Sequence, residues 1–565
     1  MRNSSRIFAY VCVILLLCTV VMSLTACNDE DTPDSLVVYN WADYIYDNYE
    51  ADFKAYYKSV TGRNIDITYV TFDTNETMIT KVTQSDSRID VMCPSEYAIQ
   101  KLLADGQLVP LNYFVDDTEH PDKYIDTTNL NGYVHNSANV EPQIVEYISR
   151  DFSSLSVSGG GTADMIDYMV PYMYGTLGIL YNRAEFRRLG IGRDEMNKAN
   201  WGILFNDSGD RTDSGEIIPL HKELTGNILM KDSIRDSYAA TLFYLVESGA
   251  LDGKTTDDGK EYSKMNVAEL INCVDDNTME LCRDALIRQK DELFGYEVDF
   301  GKDDLLKGNA MVDLAWSGDA MYAVEESWHD HEWGADDVCT ACYVNKSDVT
   351  EDGEVEEGNY LLGYYLPHTY GNIWFDGWVV PKSHYTEHEE AIKLFINFLN
   401  TPYVAAENTY TIGYSSAVAP DVIADDLQAR QSLVRLYFVN APEILELTDD
   451  DLADNDGEYG YDSWDEFAEE FFEYRDETDD SNWRYPFVSA IANDGDYDRG
   501  LSTLGMMRDF GSKNAAVVTM WNYARSVGVS ALPVMLYTLA AVALVVGVVA
   551  LVAYLNKRRL MKVVL

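Results

Sequence analysis

Short apolar runs separated by stretches with helical spacing set the pattern of this chain. Leu36-Val37-Val38-Tyr39-Asn40-Trp41 predicts a β-strand that enters a polar, aromatic turn, and Tyr46 to Tyr57 predicts a helix behind it. Ile65-Asp66-Ile67-Thr68-Tyr69-Val70 predicts a second strand followed by a helix through Met78 to Val82. Ile89-Asp90-Val91-Met92-Cys93 predicts a third strand before another helix. Further on come predicted strands at Tyr168-Met169-Val170-Pro171-Tyr172, Gly178-Ile179-Leu180-Tyr181-Asn182, Met311 to Trp316 and Trp378-Val379-Val380-Pro381. Helices are predicted over Ser233 to Ser248 and, amphipathic, over Glu389 to Leu399. Strands alternating with helices at this spacing predict βαβ units, an α/β class and a parallel sheet covered on both faces. The stretches 194–230, 251–300 and 328–362, rich in Asp, Gly and Ser, read as insertions. No internal repeat is visible.

Two apolar stretches at the ends break this pattern. Met1-Arg2-Asn3-Ser4-Ser5-Arg6, an apolar run from Ile7 to Val21 and Leu24-Thr25-Ala26-Cys27 together predict a secretory signal over 1–26. Its ending resembles the bacterial lipobox, which implies a lipidated Cys27 on a linker, 27–35. No charged residue occurs between Arg525 and Lys557, and Ala531 to Tyr554 is long and apolar enough to predict a membrane-spanning helix. Lys557-Arg558-Arg559 and Lys562 put the tail, 555–565, in the cytoplasm and everything before the helix outside the cell membrane.

Charge then narrows the partners. Across 565 residues, 95 Asp+Glu against 42 Lys+Arg give a net charge of −53, which excludes nucleic acid, because that binding needs a basic face. A chain that is 47% hydrophobic and 12% aromatic nevertheless has ample material for a packed core. The acidic segment between Thr448 and Asp480 carries Trp464, Phe467, Phe471 and Phe472 at helical spacing and reads as a surface helix with one buried face.

In an exported protein Cys273/Cys282 and Cys339/Cys342 could pair, leaving Cys93 free and buried. His329, His331, Cys339 and Cys342 also form an H-x-H…C-x-x-C set that could hold zinc. The spacing is irregular for finger types, so local disulfides or free thiols are the favoured reading. Catalytic signatures are missing: no H-E-x-x-H, no G-x-S-x-G, no P-loop, and only 8 His. Aromatics and carboxylates instead gather at the ends of predicted strands, where open α/β sheets bind ligands. They are Trp41-Ala42-Asp43-Tyr44, Ser95-Glu96-Tyr97, Trp316-Ser317-Gly318-Asp319, Trp374-Phe375-Asp376 and Tyr414.

Tyr39-Asn40-Trp41-Ala42-Asp43-Tyr44-Ile45, Asn75-Glu76-Thr77-Met78, Ile89 to Ser95, Pro171 to Thr176 and Thr411-Ile412-Gly413-Tyr414 resemble the spermidine/putrescine-binding proteins of bacterial polyamine ABC importers, which are extracellular solute-binding proteins. The likeness runs from about Leu36 to Val418. It implies a two-lobed type II periplasmic-binding-protein fold: lobe 1 over 36–172 with 375–420, and lobe 2 over 173–374 with 421–525. It also implies a binding function without catalytic residues, metal or cofactor, and an ABC permease as partner. Carried over by position, Trp41, Tyr44, Ser95 and Tyr97 would contact a polyamine from the first lobe. In Lys231-Asp232-Ser233-Ile234-Arg235-Asp236, Asp236 falls where the family keeps an amine-binding acid. Ser233 stands where spermidine-type members are acidic. Trp316, Trp374, Asp376 and Tyr414 match the aromatic box with its central carboxylate, and Asp43 and Asp319 are closer to the putrescine-type pattern.

Such a site makes physical sense. Aromatic faces cover a methylene chain and attract its ammonium ends, while carboxylates neutralise charges that are costly to bury alone. Two rivals stay open: the same fold holding a metal, thiamine or a sugar, and an extracytoplasmic enzyme or interaction protein that uses the insertions.

Overall fold

The computed structural model describes residues 33–84, 88–111, 114, 136–298, 300–334, 336–348, 360–367, 369–383, 385–419, 422–423, 426, 428–429 and 503–527. The expected signal over 1–26, Cys27, the acidic segment between Thr448 and Asp480, the 531–554 helix and the basic tail lie outside the described residues. Among the described residues no helix is long and apolar enough to cross a membrane.

The architecture is two-lobed α/β. In the first lobe β1 (Asp34–Trp41) lies between β2 (Ile65–Phe72) and β3 (Val91–Met92), all parallel. Alternation along β1 feeds two cores. Leu36 and Val38 join Phe53, Trp378 and Phe395 on one face, and Tyr39 joins Met92, Ile99, Leu102 and Phe375 on the other. The helix Tyr49–Thr61 buries Phe53, Tyr57 and Val60, a spacing that puts them on one side, and Gly62 closes it in the left-handed region at φ 75°.

A short hairpin, β4 (Leu155–Ser156) with β5 (Thr162–Ala163), precedes the second sheet. That sheet contains β6 (Val170–Asn182), β7 (Ile228–Lys231), β8 (Leu293–Glu297), β9 (Val312–Trp316), β10 (Leu362–Tyr365), β11 (Gly371–Trp378), β12 (Ser415–Ser416) and β13 (Leu504–Gly505). Its main path is β13-β11-β6-β9-β7-β8. Here the expectation of a wholly parallel sheet fails. β7 is parallel to β8 and β9, but β6 runs antiparallel to β9, β10, β11 and β12.

The cause is β6 itself, one 13-residue strand where two short ones were expected. Gly175 and Gly178 interrupt its apolar pattern in the sequence. In the fold they are the places where the Trp374 and Tyr364 rings lie directly on the strand. β6 also ties the lobes together. Val170, Tyr172 and Met173 sit in the first lobe's core, whereas Leu177, Ile179 and Tyr181 sit in the second's. β11 does the same. It starts earlier than the predicted Trp378 strand, and just past its end Val379 exchanges backbone hydrogen bonds with Met92 of the first sheet, at 2.8 and 3.0 Å.

Two of the presumed insertions are structural. Trp201, Ile203, Leu204 and Phe205 are buried in the second lobe's core, and so are Met279, Cys282 and Leu286 of the helix Asp276–Gln289. Phe510, Val517, Trp521 and Ala524, from the far end of the described chain, pack into the same core. The described cysteines are all thiols, so the two possible disulfides are not formed. Cys282 is enclosed in the core, while the Cys273 thiol donates to Asp275 Oδ2 at 3.1 Å.

Candidate functional site

The carboxylate expected at the centre of an aromatic box lies at a backbone irregularity. Asp376 does not end a strand as expected; it lies inside β11, where the register against β6 slips between Asp376 and Gly377. The slip leaves Tyr172 of β6 as the extra residue. Asp376 is buried, 4% exposed, facing Ser95 and the Tyr44 ring. Burial pushes its carboxyl up to about 7, against the pull of the Ser95 and Tyr44 hydroxyls.

The rings around it are placed by close approaches. Trp374 lies across from Gly175, where an added Cβ would come within 2.6 Å of the indole. The helix Pro402–Ile412 stops at Gly413, left-handed at φ 80°, which turns Tyr414 onto Gly318. Tyr414 then meets Trp374 edge-on at 5.1 Å and Tyr44 at 5.7 Å, and Tyr44 meets Tyr172 at 5.7 Å. Tyr44 is oriented through its backbone: its carbonyl accepts from Asn40 Nδ2 and from the Tyr172 hydroxyl, at 3.2 and 3.0 Å.

Asn75 organises the neighbouring residues. Its Nδ2 donates to Ser95 Oγ at 3.1 Å and to the Tyr97 hydroxyl at 3.0 Å, while its Oδ1 accepts from the Ser95 N–H at 3.3 Å. That explains why Asn75-Glu76-Thr77-Met78 matters although none of its residues was expected in the site. Glu96, between Ser95 and Tyr97, was also missed. It is 1% exposed and accepts from the Phe375 N–H at 3.2 Å; burial and the nearby Asp376 push its carboxyl up to about 8. Its place in the Ser95-Glu96-Tyr97 run was the available signal.

The second lobe supplies Trp316, Asp236 and Asp319. Trp316 ends β9 and packs against the cores of both lobes. Its Nε1 points to Asp236 Oδ1 at 3.4 Å, and Lys231 Nζ lies 4.4 Å from the centre of its ring. Asp236, in the first turn of the helix Ile234–Glu247, is buried, and burial raises its carboxyl above the ordinary range.

Asp319 differs from expectation: it is engaged by Lys302 at 2.7 Å, so an internal cation already answers it. Asp43 stands exposed in the turn after β1 at φ 49°, outside the ring cluster. Trp41 packs on Phe72 at 4.4 Å. Arg235, not anticipated, lays its guanidinium 4.2 Å over the Tyr97 ring and thus joins a second-lobe helix to a first-lobe one.

What remains is a set of buried polar atoms with no hydrogen bond of good geometry among the described residues: Trp41 Nε1, Trp374 Nε1, Glu96 Oε1, and the Tyr44 hydroxyl and Asp376 Oδ1, which lie near each other. Native interiors leave few such atoms, and a cluster of them points to a ligand. Neither Glu96 nor Asp376 has an ion-pair partner among the described residues. Asp376, a buried carboxylate among aromatic rings, suits a cation with apolar length.

Residues 42–208 match the family described as bacterial extracellular solute-binding protein. The putrescine-binding periplasmic protein SpuD of Pseudomonas aeruginosa is 22% identical over 70% of this chain and 81% of its own length. The putrescine-binding periplasmic protein PotF of Escherichia coli is 20% identical over 68% and 78%. A solved spermidine/putrescine ABC transporter substrate-binding protein from Streptococcus pneumoniae is 20% identical, with a TM-score of 0.45 over 87% of this chain and all of that one. The resemblance seen in the sequence therefore extends to curated relatives.

Proposed function

We propose that this chain is the extracytoplasmic polyamine-binding component of an ABC importer, a binding protein and not an enzyme. The observation that carries the reading is Asp376, buried among Tyr44, Trp374 and Tyr414 with Oδ1 making no hydrogen bond of good geometry among the described residues. An ammonium entering there gains a desolvated ion pair and cation–π contacts, and its methylenes lie along the rings. Asp236 beside Trp316 offers the second anionic pole, so the distance between the poles would measure the ligand. The names of the similar Pseudomonas and Escherichia proteins support putrescine as the first ligand to test.

Lobe 1 comprises 36–172 with 375–420, and lobe 2 comprises 173–374 with 421–525. They close on the ligand about β6 and β11, and the closed form docks on a permease. The signal-like 1–26 directs export, and Cys27 as a lipid anchor and the apolar 531–554 with its basic tail hold the receptor at the outer side of the cell membrane. The test is calorimetry of the full-length protein in detergent with putrescine, spermidine and spermine. Binding at about 1 μM or tighter, about −8 kcal/mol, is the expected outcome with at least one of them. Absence of heat and of thermal stabilisation with all three would reject the polyamine reading.

A further inference from the structure

The excursion that leaves the helix Ser317–Glu326 carries chemistry the ligand site does not use. His329, His331, Cys339 and Cys342 converge so that one ligand atom from each lies within 4.8 Å of the others. His329 Nε2 is 3.6 Å from Cys339 Sγ, and His331 Nδ1 is 3.5 Å from Cys342 Sγ. A tetrahedral zinc ion with bonds near 2.3 Å to sulfur and 2.0–2.1 Å to nitrogen sets its S···N edges at roughly 3.6 Å. The pairs already stand at that separation.

The backbone around the sulfurs is built to present them. Trp333 bridges to Cys339 and Val338 to Asn345, and the Cys339 N–H donates to the Val344 carbonyl at 2.7 Å, which folds the C-x-x-C segment into a tight knuckle. Tyr343 turns it at φ 60°, its N–H donating to the Cys339 carbonyl at 3.1 Å. Both sulfurs are buried against Ala184, Val344, Trp333 and Leu361, whereas the two imidazoles are half-buried at the surface side. His331 Nε2 is itself a buried atom with no hydrogen bond among the described residues.

We infer that His329, His331, Cys339 and Cys342 form a structural Zn²⁺ site of the Cys₂His₂ type. Two thiolates and two imidazoles complete a tetrahedron and leave no open position for a substrate, so the ion staples rather than catalyses. What it staples is the path from Ser327 to β10, which Trp328–Tyr360 pairing closes at its base and Arg187, through the Cys342 carbonyl, holds to the body of the second lobe.

Elemental analysis of the full-length protein, loaded with zinc under reducing conditions and dialysed, should find one zinc per chain. Co²⁺ substitution should give the intense thiolate charge-transfer and tetrahedral visible bands of an S₂N₂ site. The Cys339→Ser/Cys342→Ser variant should lose at least tenfold in zinc affinity and lose the charge-transfer bands. Zinc retained at full stoichiometry by that variant would overturn the assignment. So would a wild-type protein that takes up no zinc, or a Cys339–Cys342 disulfide found by mass spectrometry in chain isolated without oxidation. The Co²⁺ spectrum needs only the wild-type protein, so a variant that fails to fold does not remove the test.

Discussion

At the scale of single residues, Asp376 and Glu96 are buried acids without an ion-pair partner among the described residues, and burial gives them a pH signature. In the unfolded chain they titrate near 4, whereas in the folded, ligand-free protein they are pushed up to about 7 and about 8. Between pH 4 and 7 the native state therefore holds protons that the unfolded state has released, and stability must fall as pH rises, by up to about 1.4 kcal/mol per pH unit for each group. Ligand-free Asp376→Asn should accordingly melt higher than wild type at pH 8, with the gap closing toward pH 4; equal melting at both pH values would deny the strain on Asp376. The same variant should bind polyamine weaker by about 2–5 kcal/mol, the range for losing one side of a buried charge pair. Wild-type affinity should drop by about tenfold per pH unit below 7, because a proton then competes with the ammonium. Calorimetry across pH 5–8 reads both. These residues were only partly legible: Asp376 and Ser95 followed from the family likeness, but for Glu96 the only signal was its place between Ser95 and Tyr97, which does not separate it from a surface acid until its burial is known.

At the scale of elements, the ligand pocket is made by places where regular structure stops. The register slip opposite Asp376 leaves Tyr172 of β6 unpaired, the left-handed Gly413 turns Tyr414 inward, and Gly318 at the start of the helix Ser317–Glu326 gives that ring a floor. A methyl group on Gly318 would overlap the Tyr414 ring. Gly318→Ala should therefore displace the buried Tyr414 ring, weaken polyamine binding by about tenfold or more and lower stability by about 1–3 kcal/mol, the range for overpacking a core. Unchanged affinity would mean that Tyr414 does not line the slot. The element pattern itself was readable where strands alternate with helices, as from β1 to β3, because period and length agree there. It failed at β6, whose glycines look like strand breaks but serve as ring contacts. It also failed at 194–230 and 251–300, where polar composition hid core residues such as Trp201 and Leu286. Local disulfides or free thiols were the favoured reading of Cys339 and Cys342, since the irregular spacing of the H-x-H…C-x-x-C set does not show that the two histidines arrive beside them.

At the scale of the whole molecule, the net charge of −53 acts on encounter rather than on fit. A few placed acids, Asp236 beside Trp316 and Asp376 among the rings, are buried, whereas most carboxylates are solvated and internal cations such as Lys302 silence others. The summed field of the solvated majority still draws a polycation toward the surface, and it extends about 10 Å at 0.1 M salt and only about 3 Å at 1 M. Capture should be fast at low ionic strength and fall steeply with salt. Release depends on the desolvated contacts around Asp376 and should hardly respond. Stopped-flow measurements, reading the change in emission of the site tryptophans with spermidine between 0.02 and 0.5 M NaCl, should find the association rate falling by about tenfold or more with a nearly constant dissociation rate. The effect should be smaller for putrescine, which carries fewer charges. A salt-independent association rate would show that the acidic exterior does not steer the ligand. A dissociation rate rising as steeply as association falls would place the binding acids in solvent, against the buried geometry of Asp376.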